Sequence, residues 1–212
     1  MSDLKDRPYR GINKEDRIAQ RRDKLVESAI ELFGGQGFAN TSIKALCVNA
    51  GLTERSFYES FGVKEDLLQA AYLHARSEVL AAVRAAIASA EQNPAARSLA
   101  GVAEYLRQLE DRPAVARLLL FELEGVSEAT NAVVRQVLRE SSDLILHEMG
   151  AGLPAKPGGK LDGELLAIGM MGAIYQLAKV WVHGGYQLPR EQVLRNAHGL
   201  YLGMLTLWKD NK

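Results

Sequence analysis

The sequence predicts an all-α protein, with a small N-terminal group of three helices followed by a larger helical bundle. Apolar residues recur three and four positions apart along most of the chain, and no stretch alternates over strand length. The periodic runs are punctuated by glycine and proline, as at Gly34-Gly35, Asn93-Pro94 and Gly184-Gly185. Two further runs, on either side of Ala50-Gly51, are too short to persist as isolated helices and must be packed on something else.

The first helix is expected from about Arg17, with Leu25, Ala29, Leu32 and Phe33 on one face, ending in Gly34, Gly35 and Gly37. Thr41 precedes Ser42-Ile43-Lys44 as an N-cap, and Gly51 closes that helix because glycine accepts the left-handed conformation needed there. Thr53 caps the next short helix, which carries Phe57 and Tyr58 and ends near Phe61. Two short helices joined by a tight glycine turn form the helix-turn-helix pattern.

From Lys64 a long helix runs to about Glu91, with Leu67, Leu68, Ala71, Leu80, Val83 and Ile87 as apolar positions and Glu65 and Asp66 in the first turn. Asn93-Pro94 starts another helix, Pro113 opens AVARLLLFELEG, and Ser127 begins a long helix to about Met149. The segment Gly150 to Gly163 is a Pro- and Gly-rich loop, expected to be flexible. An apolar helix from about Leu161 to His183 follows, and a final one runs from beyond Pro189 to Trp208.

Composition narrows the function classes. The 212 residues are 47% hydrophobic, enough for a substantial core. Lys plus Arg total 26 and Asp plus Glu total 26, so any nucleic-acid surface must be local. Cys47 is the only cysteine, which excludes an intrachain disulfide and a multi-thiolate zinc site and fits a reducing compartment. The N-terminus lacks an apolar signal region, so a cytoplasmic location is expected. The run from Leu165 to Val182 reads as a buried helix, because Gln176 and Lys179 interrupt it as a membrane span. No metal site and no cofactor are expected.

A helix-turn-helix reads DNA by laying its second helix in the major groove while the first crosses the backbone. Thr53, Glu54, Arg55 and Ser56 would then lead the reading helix. Arg55 suits guanine and Glu54 could accept from the cytosine amino group, although for Glu54 the helix dipole is the preferred reading and Arg55 could instead pair with solvent or a phosphate. Phe57 and Phe61 should face the core, leaving Tyr58 outward with its hydroxyl free for a phosphate. The segment 1–16 is expected to be a flexible arm. With Arg7, Arg10 and Lys14 it begins a charged N-terminal stretch that suits either phosphate tracking or a solvated leader.

The stretch FGGQGFANTSIKALCVNAGLTERSFYESFGVKEDLL resembles the DNA-binding domain of the tetracycline-repressor (TetR) family of bacterial transcriptional regulators. Gly37-Phe38, Thr41-Ser42, Ala50-Gly51, Phe57-Tyr58, Phe61 and Lys64-Glu65 carry the likeness, which is sharp from about Arg21 to Tyr72 and only architectural beyond. It implies a helix-turn-helix DNA-binding domain over 17–63, extending in family terms to about 80, and a helical ligand-binding and dimerisation domain over 64–212. It also implies that Thr41, Ser42, Lys44, Tyr58 and Lys64 meet the DNA backbone and that Thr53 to Ser56 read bases. Cys47 stands where alanine is commoner, and Gly34-Gly35 loosens the first helix by about 1 kcal/mol per glycine.

The last two helices suggest a homodimer interface. Gly169, Gly172 and Ala173 in one, and Gly199 and Gly203 in the other, allow close backbone approach, with Leu200 and Met204 among the apolar residues beside them. An intramolecular core is the alternative. The resemblance adds a four-helix dimer contact. Candidates for an effector pocket are Tyr105, Arg117, Phe121, His147, Met170, Tyr175, Gln176 and Trp181, each of which also has a plain structural reading. The expected function is a DNA-binding regulator, a repressor, sitting on a pseudo-palindromic double-stranded operator as a homodimer, without a membrane, and released by a small molecule. A helical protein-binding adaptor is one alternative. An all-α enzyme is another, although His74, His147, His183 and His198 are scattered and form no metal or catalytic motif.

Overall fold

The structure is a computed structural model that describes residues 14–150 and 162–210. The arm over 1–13 and most of the Pro/Gly-rich loop lie outside the described residues. Among those described, the elements are all helices: α1 (Lys14–Gln36), α2 (Ile43–Asn49), α3 (Glu54–Tyr58), α4 (Lys64–Ser89), α5 (Pro94–Asp111), α6 (Pro113–Phe121), α7 (Glu128–Gly150), α8 (Gly163–His183) and α9 (Arg190–Asp210).

The helix punctuation follows local chemistry. The side chain of Thr53 accepts from Ser56 N at the head of α3, and that of Asn93 from Ala96 N at the head of α5, with Pro94 in the first turn. Ser127 and Thr130 cap α7 reciprocally, each backbone N–H reaching the other's hydroxyl. Gly51 has φ +64°, the left-handed conformation expected after α2. One cap moves by a residue: Ser42, not Thr41, receives the Ala45 N–H at the start of α2. The Thr41 hydroxyl instead donates to the Gly37 carbonyl at 2.8 Å, and the residue is buried.

The first helix differs from expectation at both ends. It starts at Lys14 and runs through Gly34 and Gly35 to Gln36. Gly34 is there for packing. A Cβ at this position would lie 2.1 Å from the carbonyl oxygen of Ala114, because the first turn of α6 rests directly on the α1 backbone.

One apolar cluster joins Leu25, Ala29 and Phe33 of α1 to Leu46, Phe57, Leu67, Leu68, Val115 and Leu118, so the core beneath the helix-turn-helix continues into α4 and α6. A second cluster packs α5 against α8 and α9 through Val102, Leu106, Met170, Trp181, Val193 and Tyr201. Trp181 donates its indole N–H to the Leu188 carbonyl at 2.8 Å, which ties α8 to the turn before α9.

The apolar α8 is long and apolar enough to cross a bilayer by length and composition, so Gln176 and Lys179 do not exclude that by themselves. Its packing is more informative. Ala167, Met170, Ile174, Ala178 and Trp181 are buried, while Leu165, Ile168 and Val180 are exposed on the other side. Within this chain, therefore, one apolar side of the helix is covered and the other is open.

Candidate functional site

Two regions hold the sequence-derived candidates. The first is the outer surface of α2 and α3. Phe57 is fully buried and Phe61 nearly so, and their rings pack with centroids 6.0 Å apart. Tyr58 is 60% exposed, its ring packed edge-on against Phe57 with centroids 5.2 Å apart. Thr53, Glu54 and Arg55 are exposed at the leading end, and Ser56 is half-buried behind them. Arg55 pairs with Glu59 one turn on at 3.2 Å, yet its side chain is 89% exposed, so this pair holds it weakly and leaves it available to a partner. Ser42 and Lys44 are exposed on α2.

The support behind this surface is polar as well as apolar. Ser28 of α1 donates to the Leu46 carbonyl, and Asn49 of α2 donates to both Ser28 and Glu31. Arg22 donates to the Ser60 carbonyl and lies 4.1 Å from the centre of the Phe61 ring. Cys47 is buried, and burial raises its thiol pKa, with Glu54 adding to the effect; it is a small core residue.

Two expected backbone contacts take other roles. Thr41 is sealed inside, with its hydroxyl committed. Lys64 turns inward, donating from Nζ to the carbonyls of Phe38 and Thr41, each at 2.8 Å, over the Phe38 ring at 4.1 Å. Partial burial draws its pKa below the ordinary lysine value. A lysine whose charge closes the loop ahead of α2 is not extended toward a phosphate.

The second region is a cavity of about 170 Å³ lined mainly by α4, α5, α7 and α8, with Leu119 of α6 and Tyr201 of α9. Its α4 wall runs from Tyr72 to Ile87, about 22 Å of helix at 1.5 Å per residue. Tyr105, Met170 and Tyr175 line it as the sequence reading expected. The other candidates do not. Arg117 pairs with Glu122 at 3.0 Å, and Phe121 packs beside His183 with ring centroids 6.2 Å apart. His147 and Gln176 are exposed, and Trp181 belongs to the α5–α8–α9 core.

Sequence reasoning missed two arginines in the cavity wall. Arg76 of α4 pairs with Glu140 of α7 at 2.9 Å, and Arg97 of α5 pairs with Glu148 of α7 at 2.6 Å. Arg76 falls on the apolar stripe that contains Tyr72, Val79 and Val83, and a charge in such a stripe is the signal that could have marked it. Tyr175 donates to Glu124 at 2.8 Å, and Lys179 pairs with the same carboxylate at 2.7 Å, which together hold α8 beside the end of α6.

Between the two regions stands Glu122, just past the end of α6. Its carboxylate accepts from the Phe38 backbone N–H at 2.7 Å and from Arg117 at 3.0 Å, linking α6 to the loop between α1 and α2.

On the expected interface, Gly169, Gly172, Gly199 and Gly203 meet nothing within 4 Å, and Leu200 is 52% exposed. Ala173 is half-buried. Met204 is buried in the chain's own core and so does not join that outer face.

Comparison with known proteins agrees with this geometry. Residues 25–71 match the family model for bacterial regulatory proteins, tetR family. The chain is 24% identical over 133 residues to the HTH-type transcriptional regulator TcmR of Streptomyces glaucescens, covering 62% of this chain and 54% of that one. It is 31% identical over 72 residues to the HTH-type transcriptional regulator UidR of Escherichia coli, covering 34% and 37%. The matched stretches thus span about half or less of these relatives. Among solved structures, FadR from Bacillus subtilis in complex with stearoyl-CoA superposes with a TM-score of 0.74 over 84% of this chain and 96% of that one, at 15% identity. The motif over residues 25–71 is thus that of the bacterial regulatory proteins of the tetR family, and the helical architecture beyond it is similar to that of solved regulators with this fold.

Proposed function

We propose that this chain is a DNA-binding transcriptional repressor that sits on a pseudo-palindromic operator as a homodimer and leaves it when a small molecule fills the cavity. The observation that carries the reading is α3: a short helix anchored by Phe57 and presenting Thr53, Glu54, Arg55 and Tyr58 outward. That is the arrangement a major-groove reader needs. Arg55 takes the role of base reader, with Ser42, Lys44 and Tyr58 on phosphates.

The dimer forms through the outer faces of α8 and α9. Leu165, Ile168, Val180, Leu200, Leu202 and Leu207 are exposed there, and the four open glycines let a second backbone approach. A symmetric partner covers such a face most simply. The protein then works in the cytoplasm on the nucleoid, as a regulator and not an enzyme.

The effector acts through α4 and α6. The middle of α4 lines the cavity, and its first residue, Lys64, is tied to the loop before α2. A molecule bound in the cavity releases DNA to the extent that it binds better to a form whose two reading helices are mis-spaced. The FadR structure with stearoyl-CoA is an instance of this fold holding a small molecule.

Selection of bound duplexes from a random pool at several salt concentrations tests the reading. An inverted repeat and a steep loss of affinity with salt are expected. Retention without a motif at every salt concentration would leave the protein an adaptor built on a DNA-binding fold.

A further inference from the structure

We propose that the cavity binds an uncharged, mostly apolar molecule carrying one hydrogen-bond acceptor oxygen, such as a ketone, ester or quinone, which the hydroxyls of Tyr72 and Tyr105 hold. The inference rests on the effector reading above and specifies its ligand chemistry.

The first support is the wall. Val79, Val83, Leu138, Met170 and Ile174 make it largely hydrocarbon, which favours a ligand that gives up apolar surface. The second is charge. Arg76 and Arg97 are already neutralised by Glu140 and Glu148, at 2.9 and 2.6 Å. An anionic ligand would have to displace the largely buried Glu148 from Arg97 or Glu140 from Arg76, and a cation would have to strip a glutamate from its arginine.

The third support distinguishes the four tyrosines of the wall. Tyr175 donates to Glu124, and Tyr201 donates to the Pro94 carbonyl at 3.1 Å. Among the described residues, the hydroxyls of Tyr72 and Tyr105 make no hydrogen bond, although Tyr72 is only 4% exposed. Neither hydroxyl is sealed off, because the one fully enclosed side-chain polar atom left without a partner among the described residues is Arg21 Nε. Both residues line the cavity, and the proposal places their hydroxyls in it. Burial pushes the Tyr72 pKa up to about 12 and raises that of Tyr105 further, with Tyr72 adding to the latter shift. Both stay protonated at neutral pH, so each residue brings a hydroxyl donor to this wall.

The size is that of a small molecule. A cavity of about 150 Å³ in another protein accepts benzene, so about 170 Å³ suits one ring with a short substituent.

Calorimetry on the full chain without DNA, using acetophenone, isopropylbenzene and benzoate, tests the proposal. These probes have equal numbers of non-hydrogen atoms and differ in acceptor and charge. Acetophenone should bind about 3- to 10-fold more tightly than isopropylbenzene, the value of one hydrogen bond, and benzoate should bind most weakly. Tyr72→Phe with Tyr105→Phe should erase the ketone's advantage and leave isopropylbenzene unchanged. Tyr105→Phe alone should reduce that advantage, which serves if the double variant melts early. Tightest binding by benzoate, equal binding of all three, or no binding at millimolar concentration overturns the proposal. A ketone that binds as expected but leaves operator occupancy unchanged overturns the effector reading and leaves the ligand chemistry standing.

Discussion

Gly34 and Gly172 are both helical glycines, and they sit in opposite surroundings. At the seam between α1 and α6 a single added carbon would collide with the Ala114 backbone, whereas on the outer face of α8 and α9 the same carbon would meet nothing within 4 Å. The seam has its second backbone already in place. The outer face has none, and it is there that the proposed dimer contact lies.

Substitutions at these positions separate the two regions. Gly34→Val should give the largest effect, since α6 must move away from α1. A loss of more than about 3 kcal/mol in urea denaturation is expected. Gly35→Ala, one residue away and with open space around it, should stabilise by about 0.5–1 kcal/mol through helix propensity alone. Equal losses at both would mean that the seam is not as tight as described.

Next in size is Gly172→Glu on the open face. A charge at the centre of a close helix contact should weaken dimerisation at least 100-fold, about 3 kcal/mol, and give monomers in sedimentation. A dimer that persists would assign the face to something other than self-association. Glu122→Ala cuts the link from α6 to the Phe38 N–H and should cost about 1.5–3 kcal/mol of stability. If the seam transmits the effector signal, this variant should also hold DNA less responsively to ligand in an operator-binding assay.

The most localised change is Arg55→Ala. It should cost about 1–3 kcal/mol of operator affinity and relax specificity at one position, while the urea midpoint moves little because an exposed pair is worth less than about 1 kcal/mol. Equal weakening on all DNA sequences would make Arg55 a phosphate contact.

The fold was legible because helix ends are written locally. Thr53, Asn93-Pro94, Pro113 and Ser127 each announce a start within a few residues, and the structure has a helix beginning beside each. The errors came where a distant partner decides. Thr41 and Ser42 can both cap, and burial of Thr41 against α1 gives the cap to Ser42. Propensity saw only a cost in Gly34, because Ala114 lies eighty residues on in the chain. Lys64 looked like any basic residue at a helix start, and nothing nearby in sequence says that it reaches the carbonyls of Phe38 and Thr41. The cavity draws on six helices, so three of the expected residues line it and the arginine–glutamate pairs crossing it were invisible.

The inward turn of Lys64 has a consequence for how any movement would be seen. Because its ammonium fastens the head of α4 to the loop before α2, a tilt of α4 would carry the whole helix-turn-helix with it as a rigid attachment. A pair of spectroscopic labels on α1 and α3 of one protomer would then register no change on effector binding. In the proposed dimer, labels on the two copies of α3 would move apart or together, so the signal would be carried by a distance between subunits that neither subunit displays alone.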